Sequence, residues 1–195
     1  MAKSKSIVKT TQNKPVRKSK LKISQIEKLL LKKYPKKTAC DWDKTGLLVG
    51  DSKQKLTKVA VALDPTIEAL RVAKKNGCNL LLTHHPAYLG KLEEFKPADS
   101  TAFVDGAVVY EAASFGIALM NFHTALDVSV EGLSVLPKLL NLKQLKVLNP
   151  VDGLSQSKSK LGFGKICSLK TSDKSMNLEQ MAARCKSVFG RSPRA

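Results

Sequence analysis

His84 and His85 are adjacent, and His123 is the only other histidine in the chain. Neighbouring side chains diverge, so a His-His pair serves a single metal poorly. It suits two divalent cations ~3.5–4 Å apart, each taking one imidazole. Such a site needs a carboxylate to bridge or complete it, and Asp127 follows His123-Thr124 closely enough to supply one. Pro86 fixes the backbone directly after the pair and removes a donor, which favours a rigid ligand loop. Nitrogen and oxygen donors without thiolate suit zinc, manganese, iron or magnesium, and the residue types do not choose among them. A structural reading competes, because a histidine at a strand end is often simply hydrogen-bonded and an aspartate after it is often a turn or cap residue.

Other chemistry has less support. Asp41, Trp42 and Asp43 precede a glycine-bounded apolar run, and the single tryptophan is expected to pack on the core. Gly46 and Gly50 are too few for a phosphate-cradling loop, and no G-x-x-x-x-G-K-[ST] occurs. Cys40, Cys78, Cys167 and Cys185 form no C-x-x-C, so free thiols are expected rather than a zinc knot or a redox pair.

The histidines need elements to position them. Ser24 and Glu27 have capping-box spacing, and Ile23, Ile26, Leu29 and Leu30 recur at helical spacing, which predicts a helix over 24–34. The apolar runs 46–50, 59–63, 79–83 and 117–122 read as strands. Between them, Pro65 opens a helix that stops at Asn76-Gly77, and a further helix spans 106–115. Strands alternating with helices predict an α/β fold, a largely parallel or mixed sheet with helices on both faces. Such sheets bind ligands outside the carboxyl ends of their strands, where Asp64, His84-His85 and the segment from His123 to Asp127 all fall. A strand over 161–169 and a helix capped by Asn177 then begin a second α/β unit with no strand to follow them. The expected division is a flexible basic arm over 1–22, a metal-site domain over 23–140, a linker over 141–160 and an incomplete second domain over 161–195.

The chain of 195 residues is 43% hydrophobic and 26% charged, the balance of an ordinary globular protein. No apolar run approaches the ~20 residues that a membrane-spanning helix needs. Lys and Arg number 34 against 16 Asp and Glu, a net charge of +18, which favours polyanionic partners. Much of the excess lies between Lys3 and Lys22 and at Lys32, Lys33, Lys36 and Lys37, without interleaved aromatics. The bland reading is a solvated arm; the functional alternative is weak nucleic-acid contact in an interaction or regulatory protein. The basic start lacks a signal-peptide pattern, so the expected compartment is the cytoplasm, with the mitochondrion as second choice.

Taken in order, Asp41-Trp42-Asp43-Lys44-Thr45-Gly46-Leu47-Leu48-Val49-Gly50, Leu82-Thr83-His84-His85-Pro86 and His123-Thr124-Ala125-Leu126-Asp127 resemble the signatures of the Nif-three-like dinuclear metal centre family, the GTP cyclohydrolase I type 2 homologues. The resemblance covers roughly residues 24–190. It implies two similar α/β domains, a two-metal site in the cleft between them, metal-assisted hydrolysis, and assembly into homo-oligomeric hexamers. By position, His84 and His85 resemble the paired ligands, one per metal, and Asp127 resembles the carboxylate ligand of the first. His123 resembles a residue beside the site. The family completes its centre with a Gly-His…Glu motif, whereas this chain has no histidine after His123. The resemblance therefore implies a C-terminally truncated chain whose metal shell is incomplete or is completed by a partner.

Overall fold

The computed structural model describes residues 21–97, 105–191 and 193, and the chain divides into two compact units, Met1–Ala125 and Leu126–Ala195. All of the expected basic arm except Leu21 and Lys22 lies outside the described residues.

In the first unit, α1 (Ile23–Lys33) and a 3-10 turn (Lys36–Thr38) precede β1 (Gly46–Val49) and β2 (Val59–Ala62). Then come α2 (Ile67–Lys75), β3 (Leu80–Thr83), α3 (Asp105–Phe115) and β4 (Ala118–Asn121). The sheet order is β1-β4-β3-β2; β2, β3 and β4 run parallel and β1 runs antiparallel to β4, so the sheet is mixed. Thr66 caps α2 by accepting from the Ala69 N–H at 3.0 Å, and Gly77 closes it at φ 69°, where a side chain would be strained. Leu70, Val108, Ala112, Ile117, Leu81 and Leu119 form the core between the helices and one face of the sheet. Leu80 and Met120, on the alternate positions, are fully buried as well.

The Ser24–Glu27 capping box does not form. The helix starts one residue earlier, and Gln25 accepts from the Lys22 backbone N–H at 2.8 Å. Glu27 is engaged elsewhere: it accepts from the Leu47 N–H at 2.9 Å and so ties α1 to β1. Gly46 makes this possible, since a Cβ at that position would stand 2.8 Å from the Glu27 Oε1.

A short helix, α4 (Thr124–Asp127), crosses the division between the units. The second unit continues with α5 (Val130–Leu139), β5 (Leu142–Pro150), β6 (Gly162–Leu169) and α6 (Leu178–Phe189). Among the described residues its sheet has two strands, β5 and β6, paired antiparallel. The strand β5 lies where the sequence reads as a linker. Its register shifts between Gln144 and Lys146, and this interrupts the alternation by which a strand is recognised. Gly132 and Pro137 likewise hide α5, although Ser129 caps it by accepting from the Gly132 N–H at 3.0 Å. Among the described residues, no helix is long and apolar enough to cross a membrane.

Candidate metal centre

Register carries the site. Ala62 pairs with Thr83 and Thr83 with Asn121 across three parallel strands. Two residues further on, at the carboxyl ends, the same register sets Asp64 beside His85 and His85 beside His123. The backbone continues the ladder into this region, the His85 N–H donating to the Leu63 carbonyl at 3.0 Å. On the other side, β1 runs antiparallel to β4 with Gly46 opposite Asn121, which brings the residues before β1 alongside His123 and Thr124.

The three half-buried histidines converge. One ring nitrogen from each of His84, His85 and His123 can be chosen so that all lie within 4.8 Å of one another. Ring centroids are 4.9 Å apart for His84 and His85, 5.0 Å for His84 and His123, and 5.3 Å for His85 and His123. His123, read from sequence as lying beside the ligands, stands level with them in this arrangement. Asp127 ends α4 and belongs to the second compact unit.

Two carboxylates hold the rings. Asp64 Oδ1 lies 2.6 Å from His85 Nδ1, and Asp43 Oδ1 lies 3.3 Å from His123 Nδ1. With Nδ1 engaged, Nε2 is the nitrogen left to ligate. A carboxylate behind the imidazole fixes the tautomer and raises the basicity of the ring, an arrangement that ligating histidines commonly have. The donor set therefore fits a divalent ion.

Asp43 is itself anchored. Its side chain is shut off from solvent, and it accepts from the Thr124 N–H at 2.9 Å and from the Thr124 hydroxyl. Burial alone would raise its pKa; the Thr124 hydrogen bonds and the His123 contact outweigh burial and hold the carboxyl below its ordinary value. Trp42 departs from expectation. It is 58% exposed rather than packed in the core, and its ring meets His123 edge-on at 5.7 Å. The residue sits before β1 in the segment that runs alongside His123, so its ring is carried to the site instead of beneath the sheet.

Sequence reasoning singled out the histidines and missed the parts that Asp43, Asp64 and Thr124 play. Asp64 was within reach, since an aspartate two residues past the end of one parallel strand faces the residue two past the end of the next. Asp43 was harder, because its role depends on an antiparallel pairing that its own segment does not announce.

The Duf34/NIF3 (NGG1p interacting factor 3) family profile matches residues 21–195. A GTP cyclohydrolase 1 type 2 homolog from Staphylococcus aureus (strain MRSA252) is 33% identical over 130 residues, 66% of this chain and 34% of that protein. A protein of the same name from Streptomyces coelicolor is 32% identical over 164 residues, 84% of this chain and 54% of that protein. The crystal structure of Staphylococcus aureus protein SA1388 superposes with a TM-score of 0.73 at 25% identity, covering 87% of this chain and 66% of that one. The chain thus spans between about a third and a half of the length of these curated relatives.

Proposed function

Because the chain belongs to the Duf34/NIF3 (NGG1p interacting factor 3) family, we propose that it is a divalent-metal-binding protein in which His84, His85 and His123 take up an ion. The observation that carries this reading is the convergence of three ring nitrogens within 4.8 Å, two of the rings being backed by carboxylates.

The finer proposal is a two-ion centre, in which His84 and His85 serve different ions and Asp127 supplies a carboxylate to the first. A divalent ion supplies Lewis-acid polarisation of a substrate oxygen. The residues of the chain do the rest: Asp64 and Asp43 aim the imidazoles of His85 and His123, and the Trp42 ring lies edge-on against His123. The name that the relatives carry, GTP cyclohydrolase 1 type 2 homolog, makes metal-assisted hydrolysis the reaction class proposed for the whole protein.

Calorimetric titration of the full chain with zinc and with manganese tests both levels. His84→Ala, His85→Ala and His123→Ala are each expected to weaken binding at least tenfold, and equal affinity in wild type and all three variants would remove the reading. A stoichiometry of two that falls on Asp127→Ala is expected for the two-ion form. A single ion, unaffected by that substitution, would leave the histidine site standing and reject the second ion.

A further inference from the structure

Next to the histidine cluster, in the first compact unit, is a cavity of about 400 Å³, a volume within the range of small-ligand sites. Lys36, Lys37, Lys44, Thr45 and Tyr88 contribute to its lining, as does Asp43, the residue that backs His123. The cavity therefore shares a wall with the metal centre.

Its charge is unbalanced in one direction. Among the described residues, none of the three lysine ammonium groups is paired with a carboxylate. Lys44 Nζ instead lies 5.4 Å from the centroid of the Tyr88 ring. The lining has two carboxylates, Asp41 and Asp43, and both oxygens of Asp43 are already taken by Lys44 N–H, His123 and Thr124. Asp43 therefore has no free oxygen with which to hold a lysine.

A second observation is independent of charge. Thr45 is 7% exposed, and its hydroxyl is buried without a hydrogen-bond partner. An unmet buried hydroxyl costs about 1–3 kcal/mol, and a ligand oxygen arriving in the cavity is a means of satisfying it. A 3-10 turn and the loop before β1 supply the cationic groups, so the lysines approach from two segments.

We propose that this cavity binds the phosphoryl group of a small molecule, with Lys36, Lys37 and Lys44 meeting the charge and Thr45 donating to a phosphoryl oxygen. Several ammonium donors around one tetrahedral oxyanion, with a hydroxyl donor behind them, match phosphate chemistry. The proposal rests on the metal-centre reading only in one respect: a phosphate anchored here would turn the remainder of its molecule toward the histidines.

The test is calorimetric binding of inorganic pyrophosphate and of ribose 5-phosphate to the full chain at fixed ionic strength. Lys44→Ala and the double variant Lys36→Ala/Lys37→Ala are expected to lose about tenfold or more in affinity, while Lys138→Ala, an exposed lysine on α5, leaves it unchanged. Thr45→Val is expected to bind the anion more weakly with a thermal midpoint unchanged or raised, because the valine removes an unmet hydroxyl; a merely structural threonine would lower the midpoint. Tighter binding of ribose 5-phosphate marks an organic phosphate as the ligand, and preference for pyrophosphate marks the free anion. His84→Ala separates this inference from the metal reading, as zinc should be lost and pyrophosphate kept. Loss of both together, or anion affinity indifferent to Lys36, Lys37 and Lys44, overturns the proposal.

Discussion

At the level of single residues, two of the three imidazoles have a carboxylate behind them. Asp64 is half exposed and touches His85, whereas Asp43 is enclosed and also satisfies Thr124. The two carboxylates should therefore answer differently to substitution. Asp64→Asn is expected to lower zinc affinity about 10–100-fold, with urea stability of the metal-free protein changed by less than about 0.5 kcal/mol. Asp43→Ala should lower both, because it strands the Thr124 donors at a cost of about 1–3 kcal/mol. Zinc titration alongside urea denaturation reads both quantities, and an Asp64→Asn protein that bound zinc like wild type would show that the carboxylate does not hold the ring. The histidines were legible from sequence because they are few and follow apolar runs. The roles of Asp43 and Asp64 were not, since an aspartate after a strand looks the same whether it caps a turn or braces a ligand.

Among the elements, the glycines that bound β1 show which contacts fix the sheet. Gly50 has φ 108°, and a Cβ there would stand 2.7 Å from the Ala118 Cβ, so β4 can approach only a residue without a side chain. Gly77 has φ 69°, and a Cβ there would meet nothing within 4 Å. Gly77→Ala should cost only the left-handed conformation, about 1–2 kcal/mol. Gly50→Ala should add overpacking of about 1–3 kcal/mol. The ordering is read from urea midpoints, and equal losses would mean that the β1–β4 approach relaxes freely. Most of these elements were readable to within a residue or so, β1 to β4 and α6 among them, because their apolar runs or capped, periodic stripes are local signals. The failures, α5 and β5, are elements whose local signal is broken by Gly132, Pro137 and a shifted register.

For the whole molecule, the two units differ in how much they bury. Leu80, Leu81, Leu119 and Met120 of β3 and β4 are at most 1% exposed. In β5, Val147 is fully buried, but Leu145 and Leu148 are 56% and 53% exposed. Hydrogen exchange should accordingly be slowest in β3 and β4 and faster throughout β5 and β6; equal protection in both sheets would contradict this ordering. The homo-oligomer implied by the family resemblance, a hexamer, is a proposal at this scale as well. Light scattering is expected to return six times the chain mass, and a monomer would reject it. The sequence by itself determined where most of the strands and helices lie, that the chain has three histidines, and that they follow apolar runs, since these depend on neighbours along the chain. Only the tertiary structure decided that His123 converges with His84 and His85, that Trp42 lies against His123 instead of in the core, and which aspartates back His85 and His123. Strand order and register set those pairings across long gaps, 80 residues between Asp43 and His123, and no local pattern encodes them.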